Sequence, residues 1–259
     1  MTTEDALGTA VEAAHAAAAV LRRGFSCPDK GARAKAHAHD PVTVFDREAE
    51  AAILRILTSA YPEDAVLSEE SDASAGRSGR RWIVDPLDGT NNFLAGIPHF
   101  AVSIALEDER GAILGCVYDP VRDEMFTAVR GGGAWLGDAQ IRVSKRQSLD
   151  GAVVAIGFSH HPERRSRTHR RLPSLFSRVG VLRGLGSASL DHAYTAAARF
   201  DASWYESLSA WDIAAGALLV EEAGGRVSDL GGGPLVDPDS GVIASNGLFH
   251  DEFVHALAE

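Results

Sequence analysis

Four short β-rich runs, at 81–85, 100–107, 112–118 and 124–129, crowd one stretch of this chain and limit its fold more than any other feature. The last three are separated only by turn residues such as Glu109-Arg110-Gly111 and Asp119-Pro120. Parallel neighbours need a crossover of a dozen or more residues, so strands this close form an antiparallel meander. The texture differs on either side. Residues 4–23 read as a helix, with acids at its start and Arg22-Arg23 at its end. Residues 27–39 are polar and read as a loop. A second helix runs over 46–60, with Ala49, Ile53, Ile56 and Leu57 on one face and Tyr61-Pro62 ending it. Beyond residue 150 strands and helices alternate: 152–158, 163–177, 179–185, 189–200, 201–205, 211–223 (stopped by Gly224-Gly225) and 242–245. The expectation is an α/β protein with an α+β N-terminal lobe over 1–147 and an α/β C-terminal lobe over 148–259, forming one folding unit.

The chemistry concentrates in Trp82-Ile83-Val84-Asp85-Pro86-Leu87-Asp88-Gly89-Thr90-Asn91-Asn92-Phe93. An apolar strand runs into Asp85, Pro86 forces a turn away from ladder pairing, and Asp88 follows three residues on. Carboxylates at a strand end suit hard divalent cations, and the freed Leu87 carbonyl can turn towards the same ion. Gly89 permits close approach of a ligand, and the helix start after it offers N–H groups to a phosphate. The same acids would equally serve as plain caps of a strand–turn–helix. Further acids stand in Asp40-Pro41-Val42-Thr43-Val44-Phe45-Asp46, in Ser68-Glu69-Glu70-Ser71 after an apolar run, and in Trp211-Asp212-Ile213-Ala214-Ala215-Gly216. Asp212 taken alone reads as a helix cap.

Composition narrows the function. The chain has 259 residues, with 36 Asp+Glu against 25 Lys+Arg and a formal net charge of −11. That surplus argues against a bulk nucleic-acid binder or an anionic membrane surface, and on its face against any anionic substrate. Two cysteines, Cys27 and Cys116, have no metal-ligand spacing and suit a reduced compartment. The Ala-rich N-terminus is broken by Glu4, Asp5, Glu12 and His15, unlike a signal peptide, and no run reaches the ~20 apolar residues of a membrane span. A cytoplasmic protein is expected.

Together the motifs DPVTVFD, SEES, WIVDPLDGTNNF and WDIAAGALLVEEAGG resemble the inositol monophosphatase family of lithium-sensitive, metal-dependent phosphatases. RGGGAWLGDAQIRVS, the GSA segment at 186–188 and VIASN are weaker matches, in family order over nearly the whole chain. The resemblance implies the layered αβαβα sandwich of the inositol monophosphatase and fructose-1,6-bisphosphatase type, and a homodimer. It implies two to three Mg²⁺ per site, with Mn²⁺ as an alternative and Li⁺ as inhibitor. Glu69, Asp85, the Leu87 carbonyl, Asp88 and Asp212 match the metal positions, with Asp85 between two ions. Gly89 and Thr90 match the phosphate turn, and Thr90 with Asp46 the pair that orients and deprotonates the attacking water, beside Glu69. Asp88, Gly186, Ser187, Ala188, Glu206 and Asp212 match the substrate contacts. Lys35 stands where the family has a lysine near the metals, or is a solvated loop cation.

Two departures bear on the substrate. The interval from Glu206 to Asp212 is one residue shorter than in the usual pattern, so Glu206 either reaches the substrate or is a strand-end surface acid. Asn91 replaces a common Thr at the helix start. Residues 160–183 carry seven arginines against one acid, Glu163. They read as a solvated basic helix face, a subunit contact, or a holder for a second substrate phosphate. His160 and His161 read as loop residues, since hard Mg²⁺ prefers carboxylates.

The expected activity is Mg²⁺-dependent hydrolysis of a small phosphorylated alcohol, inositol monophosphate or a related cyclitol or sugar phosphate, by direct attack of water. Histidinol phosphate, fructose 1,6-bisphosphate and phosphoadenosine nucleotides are alternatives on the same metal core. A binding partner in transcription is the non-enzymatic alternative. The acidic surplus does not oppose a phosphate ester here: two or three ions bring roughly +4 to +6 against about −4 from the ligands.

Overall fold

Thr2 and Asp5 cap helix α1 (Thr3–Phe25) reciprocally, the Thr2 N–H donating to Asp5 Oδ2 at 2.7 Å and the Asp5 N–H to Thr2 Oγ1 at 3.1 Å. The structure is a computed structural model that describes residues 2–34, 41–159 and 162–258. After a short antiparallel pair, β1 (Arg33–Ala34) and β2 (Pro41–Val42), a second capping box at Thr43 and Asp46 opens α2 (Val44–Ala60).

Next come β3 (Ala65–Ser68), β4 (Arg81–Asp88), α3 (Thr90–Ala95), β5 (Ala101–Asp108), β6 (Gly111–Asp119), β7 (Glu124–Val129), β8 (Gly133–Leu136) and β9 (Ala139–Ile141). Among the described residues these strands form a seven-stranded sheet in sequence order. β3 and β4 are parallel, and the rest are antiparallel. The meander expected over 100–129 is β5–β6–β7. A mixed five-stranded sheet follows, in the order β11 (Val181–Arg183), β10 (Val153–Ile156), β12 (Ala202–Tyr205), β14 (Val242–Ser245), β13 (Arg226–Ser228). Its helices are α4 (Pro162–Phe176), α5 (Ala188–Ala196), α6 (Ala210–Glu222) and α7 (His250–Ala258).

Side-chain alternation stacks these elements in five layers. Val102, Ile104 and Leu106 of β5 point to α1 and α2, where Leu21, Ile53 and Leu57 are fully buried. Ala101 and Ala105 point the other way, to Leu190, Leu218 and Leu219 of α5 and α6, which also meet Ala155 and Ala244 of the second sheet. Val154, Trp204 and Ile243 face outward onto Leu175 of α4 and Phe253 of α7. The result is the αβαβα sandwich that the family resemblance implies. No helix among the described residues is long and apolar enough to cross a membrane.

Where β6 of the large sheet meets α6 the two backbones nearly touch. A Cβ on Gly115 would lie 2.8 Å from the Ala215 carbonyl oxygen. On the opposite side of α6, a Cβ on Gly216 would lie 2.6 Å from His192 Cβ. α6 is wedged between β6 and α5 with no room for a methyl group.

One expectation needs correction. Pro86 does not end the strand: β4 continues to Asp88, and Pro86 falls in a bulge between the pairs Asp85–Ser103 and Asp88–Ala101. Three residue steps on β4 face two on β5, so the missing N–H of proline falls where the ladder is already interrupted.

Three histidines, His99, His192 and His250, are buried, and burial lowers each pKa to about 4. His250 sits between the hydroxyls of Ser228 and Ser245, each at 2.8 Å. Between pH ~4 and ~6.5 the unfolded chain holds protons that the folded chain does not. Each histidine therefore adds stability that is present above that window and falls by about 1.4 kcal/mol per pH unit on acidification through it. Urea unfolding of His250→Gln between pH 7 and pH 5 is expected to show a shallower loss than the parent. The comparison isolates the histidine from Asp191, whose buried carboxyl is shifted upward and acts in the opposite direction.

Candidate active site

The bulge in β4 turns Asp85 and Asp88 towards one cavity of about 600 Å³. Glu69, the residue after β3, reaches the same cavity, its N–H donating to the Val84 carbonyl at 3.2 Å. Asp212 arrives from the first turn of α6, where its Oδ2 accepts the Ser209 N–H at 2.7 Å. Asp85, Asp88 and Asp212 present carboxylate oxygens within 4.8 Å of one another. Asp85 is 1% exposed, and its Oδ1 accepts the Leu87 N–H at 2.9 Å. Burial raises its pKa well above the ordinary carboxylate range, and the charges of Glu69, Asp88 and Asp212 raise it further. Asp88 is also raised: burial outweighs the opposing hydrogen bonds from Ser187 and Ser189. So many carboxylates in a buried place repel one another unless a cation lies between them. Carboxylates and a carbonyl form an all-oxygen donor set, which suits Mg²⁺.

Asp88 also joins the two halves of the cavity. Its Oδ2 accepts from Ser187 Oγ and the Ser189 N–H, each at 2.7 Å, and its Oδ1 from the Ala188 N–H at 3.3 Å. The carboxylate therefore caps the N-terminus of α5 while it faces the cavity. Gly186, Ser187 and Ala188 line the wall beside it. Gly89 has φ +98°, and a Cβ there would lie 3.2 Å from both the Gly186 and the His99 carbonyl oxygens. Thr90 follows, with its hydroxyl 3.0 Å from Asp46 Oδ1 and 3.1 Å from the Leu87 carbonyl. Asp46 is 1% exposed, and its other oxygen accepts the Thr43 N–H at 2.8 Å.

The structure thus brings Glu69, Asp85, Leu87, Asp88, Gly89, Thr90, Gly186, Ser187, Ala188 and Asp212 to one cavity, with Asp46 behind Thr90. Asn91 lines it as well. Glu206 does not: its side chain is fully buried and pairs with Arg171 of α4. Of the arginine-rich segment, Arg165, Arg167 and Arg170 are exposed, whereas Arg164 lines the cavity. Lys35, Asp40, His160 and His161 lie outside the described residues.

Several supporting residues carried no signal of this kind in the sequence. Asn92 donates both to the His99 carbonyl and to the Leu185 carbonyl, each at 2.7 Å, and so fixes the 185–188 segment against the Gly89 turn. Glu50 accepts from the hydroxyls of Ser68 and Ser71 and, at 3.3 Å, from the Glu70 N–H, which holds the segment that carries Glu69. Its spacing of four from Asp46 on α2 was the available clue. The Tyr205 ring stacks on His192 and closely covers Gly157, where a Cβ would lie 1.9 Å from it; its hydroxyl donates to Asp191.

The family model that matches residues 3–259 is that of the inositol monophosphatase family. An inositol-1-monophosphatase of Mesorhizobium japonicum is 45% identical over 224 residues, covering 84% of this chain and 83% of that protein. The Nus factor SuhB of Pseudomonas aeruginosa is 43% identical over 246 residues, covering 93% and 91%. The crystal structure of the extragenic suppressor protein suhB from Bartonella henselae superposes with a TM-score of 0.94 at 40% identity, covering 98% of this chain and 99% of that one.

Proposed function

The chain belongs to the inositol monophosphatase family, and from that premise we propose that it hydrolyses a small phosphorylated alcohol, of the cyclitol or sugar phosphate class, with the help of Mg²⁺. The observation that carries this reading is the convergence of Glu69, Asp85, Asp88 and Asp212, with burial and then mutual repulsion raising the Asp85 pKa. Those four side chains and the Leu87 carbonyl are the groups that would hold the metal. Bound there, Mg²⁺ supplies positive charge that neutralises phosphoryl oxygens and acidifies water.

The remaining roles fall to the protein itself. The Gly89–Thr90 turn holds the phosphate, and glycine is favoured at 89 because its φ of +98° strains any L side chain and a Cβ would crowd two carbonyls. The Thr90 hydroxyl orients the attacking water and passes its proton to Asp46, whose second oxygen is fixed by Thr43. Gly186, Ser187 and Ala188 position the substrate beside the turn. In-line attack by water needs no protein nucleophile, so isotope exchange should reveal no phosphoenzyme.

Thr90→Val is expected to lower kcat by roughly 10²-fold or more with a smaller change in KM, because it removes the hydroxyl between water and Asp46. Thr90→Ser should restore most of the rate. The general test is a panel of sugar, cyclitol, histidinol, bisphosphate and nucleotide esters with Mg²⁺. Failure to release phosphate from any of them would overturn the phosphatase reading.

A second reading, as a binding partner in transcription, draws on relatives named Nus factor SuhB and on the exposed arginines of α4. A pull-down with parent and Asp88→Asn protein separates the two: a partner retained by the phosphatase-dead variant indicates both roles, and activity with no partner indicates the enzyme alone.

A further inference from the structure

Arg164, Ser207 and Asp239 close a ring of hydrogen bonds on the wall of the cavity. Arg164 Nη1 donates to Ser207 Oγ at 2.8 Å, Ser207 Oγ donates to Asp239 Oδ1 at 3.0 Å, and Arg164 Nη2 donates to Asp239 Oδ2. All three line the same cavity as the carboxylates, and Arg164 is the one cation among its described lining residues. Asp239 remains half exposed and Arg164 a quarter exposed. The Leu208 N–H donates to the Pro238 carbonyl at 3.0 Å, which binds the segment after β12 to the turn that carries Asp239.

Glu206 and Ser207 are neighbours in chain just after β12, with Glu206 buried and Ser207 on the cavity wall. Glu206 meets Arg171, and Ser207 meets Arg164. The two arginines stand seven residues apart on α4, two turns along one helix face. The helix thus holds Glu206 away from the cavity with one arginine and presents the other at the cavity wall.

We infer that Arg164, Ser207 and Asp239 recognise the alcohol part of the substrate, and that they fit neighbouring hydroxyls of a polyol. This inference rests on the phosphatase reading of the site. The paired guanidinium and carboxylate are together neutral, so they offer no net charge to a second phosphate. They do offer a donor beside an acceptor. One hydroxyl of a vicinal diol donates to Asp239 and its neighbour accepts from Arg164, with Ser207 matching either. Hydrogen bonds to charged groups are stronger than neutral ones and would reject an alcohol that left the pair unmatched. Glu206, buried against Arg171, takes no part in this recognition.

The test is steady-state kinetics of the magnesium-loaded enzyme on inositol 1-phosphate and on p-nitrophenyl phosphate, whose leaving group has no neighbouring hydroxyls. Arg164→Gln and Asp239→Asn are each expected to lower the ratio of the two kcat/KM values about tenfold, chiefly through KM for inositol 1-phosphate. Ser207→Ala should shift it in the same direction by less, and Arg167→Gln on the exposed face of α4 should leave it in place. An unchanged ratio in both Arg164→Gln and Asp239→Asn overturns the inference while leaving the phosphatase intact. A loss confined to fructose 1,6-bisphosphate in Arg164→Gln overturns it in favour of a second-phosphate site. Release of phosphate from neither ester, nor from any other in the panel, removes the phosphatase reading and the polyol assignment with it.

Discussion

Asp85→Asn is expected to lower kcat/KM for magnesium-dependent phosphate release by roughly 10³-fold or more, the loss of about 4 kcal/mol of charge stabilisation. The same change should make the metal-free protein more stable. Asp85 is 1% exposed and stands among Glu69, Asp88 and Asp212, so removing its charge relieves repulsion that the parent can relieve only by taking up a cation or a proton. Thermal melts with and without Mg²⁺ check both halves. The parent should gain Tm on addition of metal, and the variant should start higher and gain less. Equal metal-induced shifts in the two proteins would place the cation elsewhere.

Gly115→Val should destabilise the fold by about 3 kcal/mol through overpacking. The reason is local: the position of its Cβ is 2.8 Å from the Ala215 carbonyl oxygen, and β6 or α6 must retreat. Since Asp212 rides on the first turn of α6, the retreat also disturbs the carboxylate cluster. Urea denaturation should show the lost stability, and the Mg²⁺ concentration for half-maximal activity should rise together with it. Gly8→Ala is the contrast. It lies on the exposed side of α1 with nothing within 4 Å of the added methyl, and it should stabilise by up to about 1 kcal/mol.

Much of this architecture was legible because its signals are local. The meander needed only the short turns between its strands, and α1, α2 and α6 carry acids in their first turns. β8, β9 and β13 have three or four residues each, too few for alternation to show. The carboxylates of the candidate metal site were legible because they stand in three short motifs, Asp85 and Asp88 sharing one. Capping and a place in the cavity are compatible: Asp212 caps α6 and lines the cavity, while Asp46 caps α2 and accepts from the Thr90 hydroxyl behind it. Glu206 shows the opposite case. Its shortened interval to Asp212 was visible, but its partner Arg171 lies 35 residues away on another element, and no local pattern announces such a contact. Asp239 was hidden for the same reason, 75 residues from Arg164 in a stretch without periodicity.

Asp88 and Asp212 have a consequence for how the protein reaches its native state. Each carboxylate completes a helix terminus, α5 for Asp88 and α6 for Asp212, and lines the cavity as well. A chain in which α5 or α6 has not yet begun therefore lacks part of the carboxylate cluster, and a cation held at the proposed site would keep the two helices in register. Magnesium uptake during refolding would then be a clock for the last stage of assembly. Nor can the cluster be transplanted as a set of acids alone, because a host would have to supply two helix beginnings aimed at one point.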